Sequence, residues 1–141
     1  MNRNHIELKF FDFDLTHEEL SRTLELDPTH RWYKDEEYMA GSKTKPVPMK
    51  RKQSYWGHEI LTLTNGYIGD QIKEFLKSLI TPRIAKIQKL TEKYHGEFSV
   101  VQYMYDGCNP GFFLDPDQLE LINKCGLGLN IDFYVLSETS D

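Results

Sequence analysis

Asp12-Phe13-Asp14-Leu15-Thr16 is the run whose residue types and spacing come nearest to a reaction centre. Two carboxylates two residues apart, with a hydroxyl two further on at a strand exit, could do acid–base work beside an anion-binding hydroxyl. A Mg²⁺ site there would need further carboxylates after a later strand. It also needs a buried parallel strand beneath the first pair. Glu7 and Lys9 lie on that strand, and Gly69-Asp70 falls at a helix start, where Asp70 suits the helix dipole. The plainer reading makes Thr16 an N-cap, and Asp12 and Asp14 polar residues at a strand exit. Short matches of this kind arise easily by chance, and no catalytic residue is assigned.

A second set of side chains suits binding rather than reaction. Arg31-Trp32 and Tyr55-Trp56 flank a long polar connection, and Arg31 offers a planar cationic fork beside two indoles, with core packing the favoured reading for Trp56 and an even alternative for Trp32. The connection carries the run Lys43-Thr44-Lys45-Pro46-Val47-Pro48-Met49-Lys50-Arg51-Lys52, a basic stretch in an acidic chain, suited to an acidic partner or a phosphate. A mobile, solvated loop is the favoured reading. The candidate ligand- or partner-binding residues are Arg31, Trp32, Lys34, Lys50, Arg51, Lys52, Trp56 and Asn109. The five histidines, His5, His17, His30, His58 and His95, are scattered and none pairs with another at metal-ligand spacing. His17 and His95 read as surface residues. No metal and no cofactor is assigned. Tyr103 and Tyr105 share a strand face, as a base-stacking sheet requires, but no basic signature accompanies them.

These residues need elements to hold them. A short phrase occurs twice: Leu15-Thr16-His17-Glu18-Glu19-Leu20 and Leu114-Asp115-Pro116-Asp117-Gln118-Leu119. Each predicts a strand handing over to a helix, with Thr16 or Asp115 as N-cap and Glu19 or Gln118 closing a capping box. Residues 5–13 alternate, with Ile6, Leu8 and Phe10 opposite Glu7 and Lys9, a half-buried strand. The first helix ends at Asp27-Pro28, and residues 28–54 form the long connection. Tyr55 to Thr64 reads as a second strand closed by Asn65-Gly66. Ile68, Ile72, Phe75, Leu76, Leu79 and Ile80 recur at helix spacing, and Thr81-Pro82, a cap and a first-turn proline, opens a new helix carrying Ile84, Ile87 and Leu90. Phe98 to Tyr105 is a third strand, and Asp106 to Gly111 a turn-rich loop. A capped helix ends at Cys125-Gly126. In the last strand Leu127, Leu129, Ile131, Phe133 and Val135 face inward. The expected fold is α+β: two ferredoxin-like βαβ units with an inserted helical pair, making a mostly antiparallel four-stranded sheet with helices on one face. One domain spans 1–141, with a mobile polar loop near 33–54.

The 141 residues are 39% apolar and 28% charged, with a net charge of −5, which argues against nucleic-acid binding. No apolar leader follows Met1 and no run reaches membrane-spanning length. Cys108 and Cys125 form no metal motif, so free thiols in the cytoplasm are expected.

Asp12-Phe13-Asp14-Leu15-Thr16 is similar to the D-x-D-x-T phrase of haloacid-dehalogenase-type phosphatases. That resemblance implies a nucleophile, an acid and a phosphate-binding hydroxyl at a strand end, hence a divergent hydrolase using Asp12 and Asp14, kept as an alternative. A broader resemblance covers most of the chain. Leu26-Asp27-Pro28-Thr29 followed by Trp32 and Lys34, then Trp56, Gly111-Phe112-Phe113-Leu114 and Gly126-Leu127-Gly128-Leu129-Asn130-Ile131-Asp132 resemble a bacterial family, domain of unknown function 4279. Trp56-Gly57-His58-Glu59 departs from the family's Trp-Ser-Leu-like run. The resemblance implies a soluble bacterial α+β domain and carries over no catalytic residue. The functional expectation is a non-catalytic binding protein, an immunity-type or regulatory domain. It would meet another protein, without nucleic acid or membrane, as monomer or homodimer. The alternatives are a small-ligand sensor built on Arg31, Trp32 and Trp56, and the hydrolase.

Overall fold

A computed structural model describes residues 3–63, 67–105 and 107–137. The Asn65-Gly66 turn, Thr64 as a strand end, and Asp106 of the turn-rich loop lie outside the described residues. Strand β1 (Arg3–Phe11) is followed by helix α1 (His17–Leu24). Next come strand β2 (His30–Trp32), the hairpin strands β3 (Glu37–Gly41) and β4 (Pro46–Lys50), and strand β5 (Tyr55–Leu63). Helices α2 (Ile68–Phe75) and α3 (Ile84–Thr91) precede strand β6 (His95–Tyr105), helix α4 (Pro116–Lys124) and strand β7 (Gly128–Leu136).

The main sheet has five strands in the order β2-β5-β1-β6-β7. Its β2/β5, β5/β1 and β1/β6 ladders are antiparallel, and β6/β7 is parallel. The β1 alternation holds: Ile6, Leu8 and Phe10 are fully buried. They share one core with Leu20 and Leu24 of α1, Ile72 and Phe75 of α2, Ile87 and Leu90 of α3 and Ile122 of α4. Helices from both halves of the chain thus cover the same face.

Both capping boxes form. The Thr16 side chain accepts from Glu19 N–H and the Asp115 side chain from Gln118 N–H, and each partner reaches back to the cap. The duplicated βαβ architecture does not follow from them. A βαβ unit joins parallel strands. Only β6-α4-β7 does so; β1 and β5 are antiparallel neighbours. The long connection is the reason: residues 25–54 let the chain return in either direction, and the chain uses them to lay β2 beyond β5.

That connection is also more structured than its composition suggests. It holds β2 and a separate two-stranded sheet, β3 paired with β4. Proline in a strand is confined to edges, and in a two-stranded ladder every strand is an edge, so Pro46 and Pro48 fit β4.

The predicted break at Thr81-Pro82 is instead a change of winding. α2 runs into a π turn (Leu76–Ile80) and a 3₁₀ turn (Thr81–Arg83) before α3. Thr81 is not a cap: its hydroxyl donates to Leu76 O at 2.9 Å. Pro82 brings no N–H, and the Arg83 guanidinium donates to Leu79 O at 3.0 Å. The same guanidinium donates to Leu24 O at 2.8 Å and Glu25 O at 3.1 Å, closing the C-terminus of α1.

Candidate functional site

Strand periodicity puts alternate residues on the face that carries no helix. The register aligns Glu7 with Glu59 and Ser99, Lys9 with Gly57 and Glu97, and Gly57 with His30 across neighbouring strands. Although it lies on this face, Glu7 is only 6% exposed. Its carboxylate is held by two partners: the Tyr55 hydroxyl donates to Oε2, and Lys9 Nζ lies 3.6 Å from Oε1. Burial first, and then the Glu7 carboxylate, push the Tyr55 phenol above its ordinary value, so it stays a neutral donor.

Gly57 explains how Tyr55 reaches Glu7. A Cβ at this mid-strand position would collide with Glu7 Oε2 and the Tyr55 hydroxyl. A glycine in a strand interior weakens the strand unless something must approach closely, and here a carboxylate and a phenol do.

Two further carboxylates on the face are paired. His5 Nδ1 lies 2.8 Å from Glu59 Oε2. His95 Nε2 lies 2.5 Å from Glu97 Oε2, and Asn130 donates to Glu97 Oε1 at 3.1 Å. Aromatic rings frame the face at both ends. Trp32 stacks on Tyr55 with centroids 4.2 Å apart, and Tyr103 on Tyr134 at 5.2 Å. The Arg51 guanidinium is clamped between Trp32 and Tyr38, 3.8 Å from each centroid.

The residues expected to form a Trp/Arg pocket do not converge. Trp56 is fully buried among the helices, its Nε1 donating to Ser21 Oγ at 3.2 Å. Arg31 lies on the helical side too, 3.1 Å from Glu18 Oε1; a backbone hydrogen bond and this guanidinium hold the Glu18 carboxyl below its ordinary value. Trp32 points to the other face, because neighbours along a strand alternate. Of the basic run, Arg51 is a structural clamp, while Lys50 and Lys52 are exposed. Lys34 is exposed beside Ser54, its N–H donating to Ser54 Oγ at 3.3 Å. Asn109 follows the far end of β6, at the opposite end of the sheet from Trp32.

His17 is not a surface residue: it is 2% exposed, with Nε2 3.1 Å from both Trp32 O and Tyr55 O. Of the phosphate-binding set, Thr16 is engaged as a cap and Asp14 Oδ1 accepts from the Tyr94 hydroxyl. Their strand, β1, is antiparallel to both neighbours. Sequence reasoning passed over Glu7, His30, Gly57 and Glu59 as site residues. Only the mid-strand glycine signalled them.

Fold and site define an α+β domain with one helical face and one polar, aromatic-framed open face. A family model described as Domain of unknown function (DUF4279) matches residues 2–136, and the chain belongs to that family. No curated protein and no solved structure matches it significantly.

Proposed function

We propose that this chain is a non-catalytic binding protein, of the regulatory or immunity type, that meets a basic protein through the open face of its sheet. One observation carries the reading. Among the described residues of the strands the face sets Glu7, Glu59, Glu97 and Asp132 against Arg3 and Lys9 of β1, within a frame of stacked aromatic rings. Prearranged carboxylates beside aromatic rings, Tyr134 among them exposed, suit recognition of a cationic surface, and the net charge of −5 steers such a partner inward. The sensor reading has less support, with Arg31 and Trp56 on the opposite face from Trp32, as has the hydrolase reading, with Thr16 engaged as a cap.

The test is affinity capture from the native host with the wild type and two charge-reversed proteins. Glu97→Lys/Asp132→Lys alters the open face, and Glu92→Lys/Glu120→Lys alters exposed positions away from it, at the C-cap of α3 and on α4. A partner retained by the second variant and lost at least tenfold by the first is expected, with melting temperatures confirming both folds. Capture that survives the open-face variant, or a wild type that retains no partner, overturns the proposal.

A further inference from the structure

One corner of the open face brings together Glu7 of β1, Glu59 of β5 and His30 of β2. One ligand atom from each lies within 4.8 Å of the others. We propose that these three side chains bind a divalent cation of the Zn²⁺ class. The ion would have three protein ligands and an open position facing solvent. It takes Glu7 and Glu59, two of the four carboxylates assigned above to partner binding, and leaves Glu97 and Asp132 to that partner.

The donor set is the first support. One imidazole and two carboxylates form a mixed nitrogen and oxygen site, the chemistry of Zn²⁺ and its first-row neighbours rather than of Mg²⁺ or Ca²⁺. Donors around a tetrahedral Zn²⁺ stand about 3.4 Å apart, given bonds of about 2.0–2.2 Å. The three side chains therefore need to close by about an ångström, which the exposed His30 can supply by side-chain rotation.

The second support is the floor of the site. Gly57 lies between Glu59 and Tyr55 on their strand and is paired directly with His30. Its missing Cβ leaves the space that the Glu7 carboxylate enters. A side chain there would push the Glu7 carboxylate away from the other two ligands.

Each ligand is also oriented from behind. The Tyr55 hydroxyl holds Glu7 Oε2, His5 holds Glu59 Oε2 at 2.8 Å, and Thr29 Oγ1 lies 3.1 Å from His30 Nδ1, which leaves Nε2 as the nitrogen for the ion. Such outer partners accompany metal ligands generally. Lys9 now supplies the counter-charge to Glu7 and is the cation an incoming ion would displace.

Equilibrium dialysis of the untagged, chelator-stripped protein against Zn²⁺ alone tests this. One ion per chain is expected in the wild type. His30→Ala and Glu59→Gln should each weaken binding at least about tenfold, and Tyr55→Phe about tenfold through Glu7. His95→Ala, which removes a histidine paired elsewhere on the face, should bind like the wild type. Far-UV circular dichroism and melting curves establish that each variant is folded. No saturable binding by the wild type, or binding that persists in His30→Ala and Glu59→Gln, overturns the proposal. The partner-capture variants leave all three ligands in place, so the two proposals fail independently.

Discussion

Thr16 shows how much a single residue can specify when its partners are local. Its hydroxyl accepts from Glu19 N–H at 3.1 Å while Glu19 Oε2 accepts from Thr16 N–H at the same distance. All the atoms involved lie within four residues, so the spacing in the sequence was enough to find them. Thr16→Ala leaves an orphan helix N–H and should cost about 0.5–2 kcal/mol, with Thr16→Ser or Thr16→Asp recovering most of it. Urea unfolding of the three variants measures this; equal stabilities for wild type and Thr16→Ala would show that the cap contributes nothing. A phosphate-binding hydroxyl would predict a different order, because Asp would repel the anion. His17, the next residue, is the opposite case. Its acceptors, Trp32 O and Tyr55 O, lie 15 and 38 residues away, so no local pattern announced its burial. Glu7 and Glu59 were hidden in the same way: they face each other only because β5 returns antiparallel to β1.

Among the elements, those with a strong apolar period were readable and those held by side chains were not. β1 and α1–α3 follow from where their isoleucines, leucines and phenylalanines fall. β3 and β4 bury little on either side and look in sequence like a solvated loop. An isolated two-stranded ladder is marginal in water, so the hairpin needs a tie to the body of the protein. Arg51 is that tie: one face of its guanidinium meets Tyr38 of β3 and the other meets Trp32 of β2. A cation held over an aromatic ring contributes roughly 0.5–2 kcal/mol. Arg51→Ala should therefore speed amide hydrogen exchange across the β3–β4 ladder about tenfold and leave the central β1–β6 amides unchanged. Exchange that rises equally in both ladders, or in neither, would show that Arg51 does not fasten the hairpin.

For the whole molecule, one sheet divides a helical core from an open face, and sequence periodicity reported the division without reporting the topology. Alternation says which side of a sheet a residue takes, not which strands are neighbours or what covers them. In β7, Leu129, Phe133 and Val135 lie on the helical side as their spacing implied. They are nonetheless 42%, 51% and 66% exposed, because β7 is an edge strand and α4 leaves much of it uncovered. The two tryptophans sit on opposite sides of this division and can report on it separately. Trp56 is packed against Phe10 beneath the helices, with ring centroids 6.0 Å apart. Trp32 belongs to the stack that fastens the hairpin. In Trp32→Phe, Trp56 is the sole indole, and its fluorescence should change at the same urea concentration as the far-UV dichroism, since α1–α4 share one core. In Trp56→Phe, Trp32 should respond at lower urea than the dichroism of that same variant, because the hairpin opens before the core. Comparing the two signals within each variant removes the stability that either substitution costs. Coincident transitions for Trp32 would mean that the hairpin belongs to the global cooperative unit, with Arg51 clamping a segment that never opens by itself.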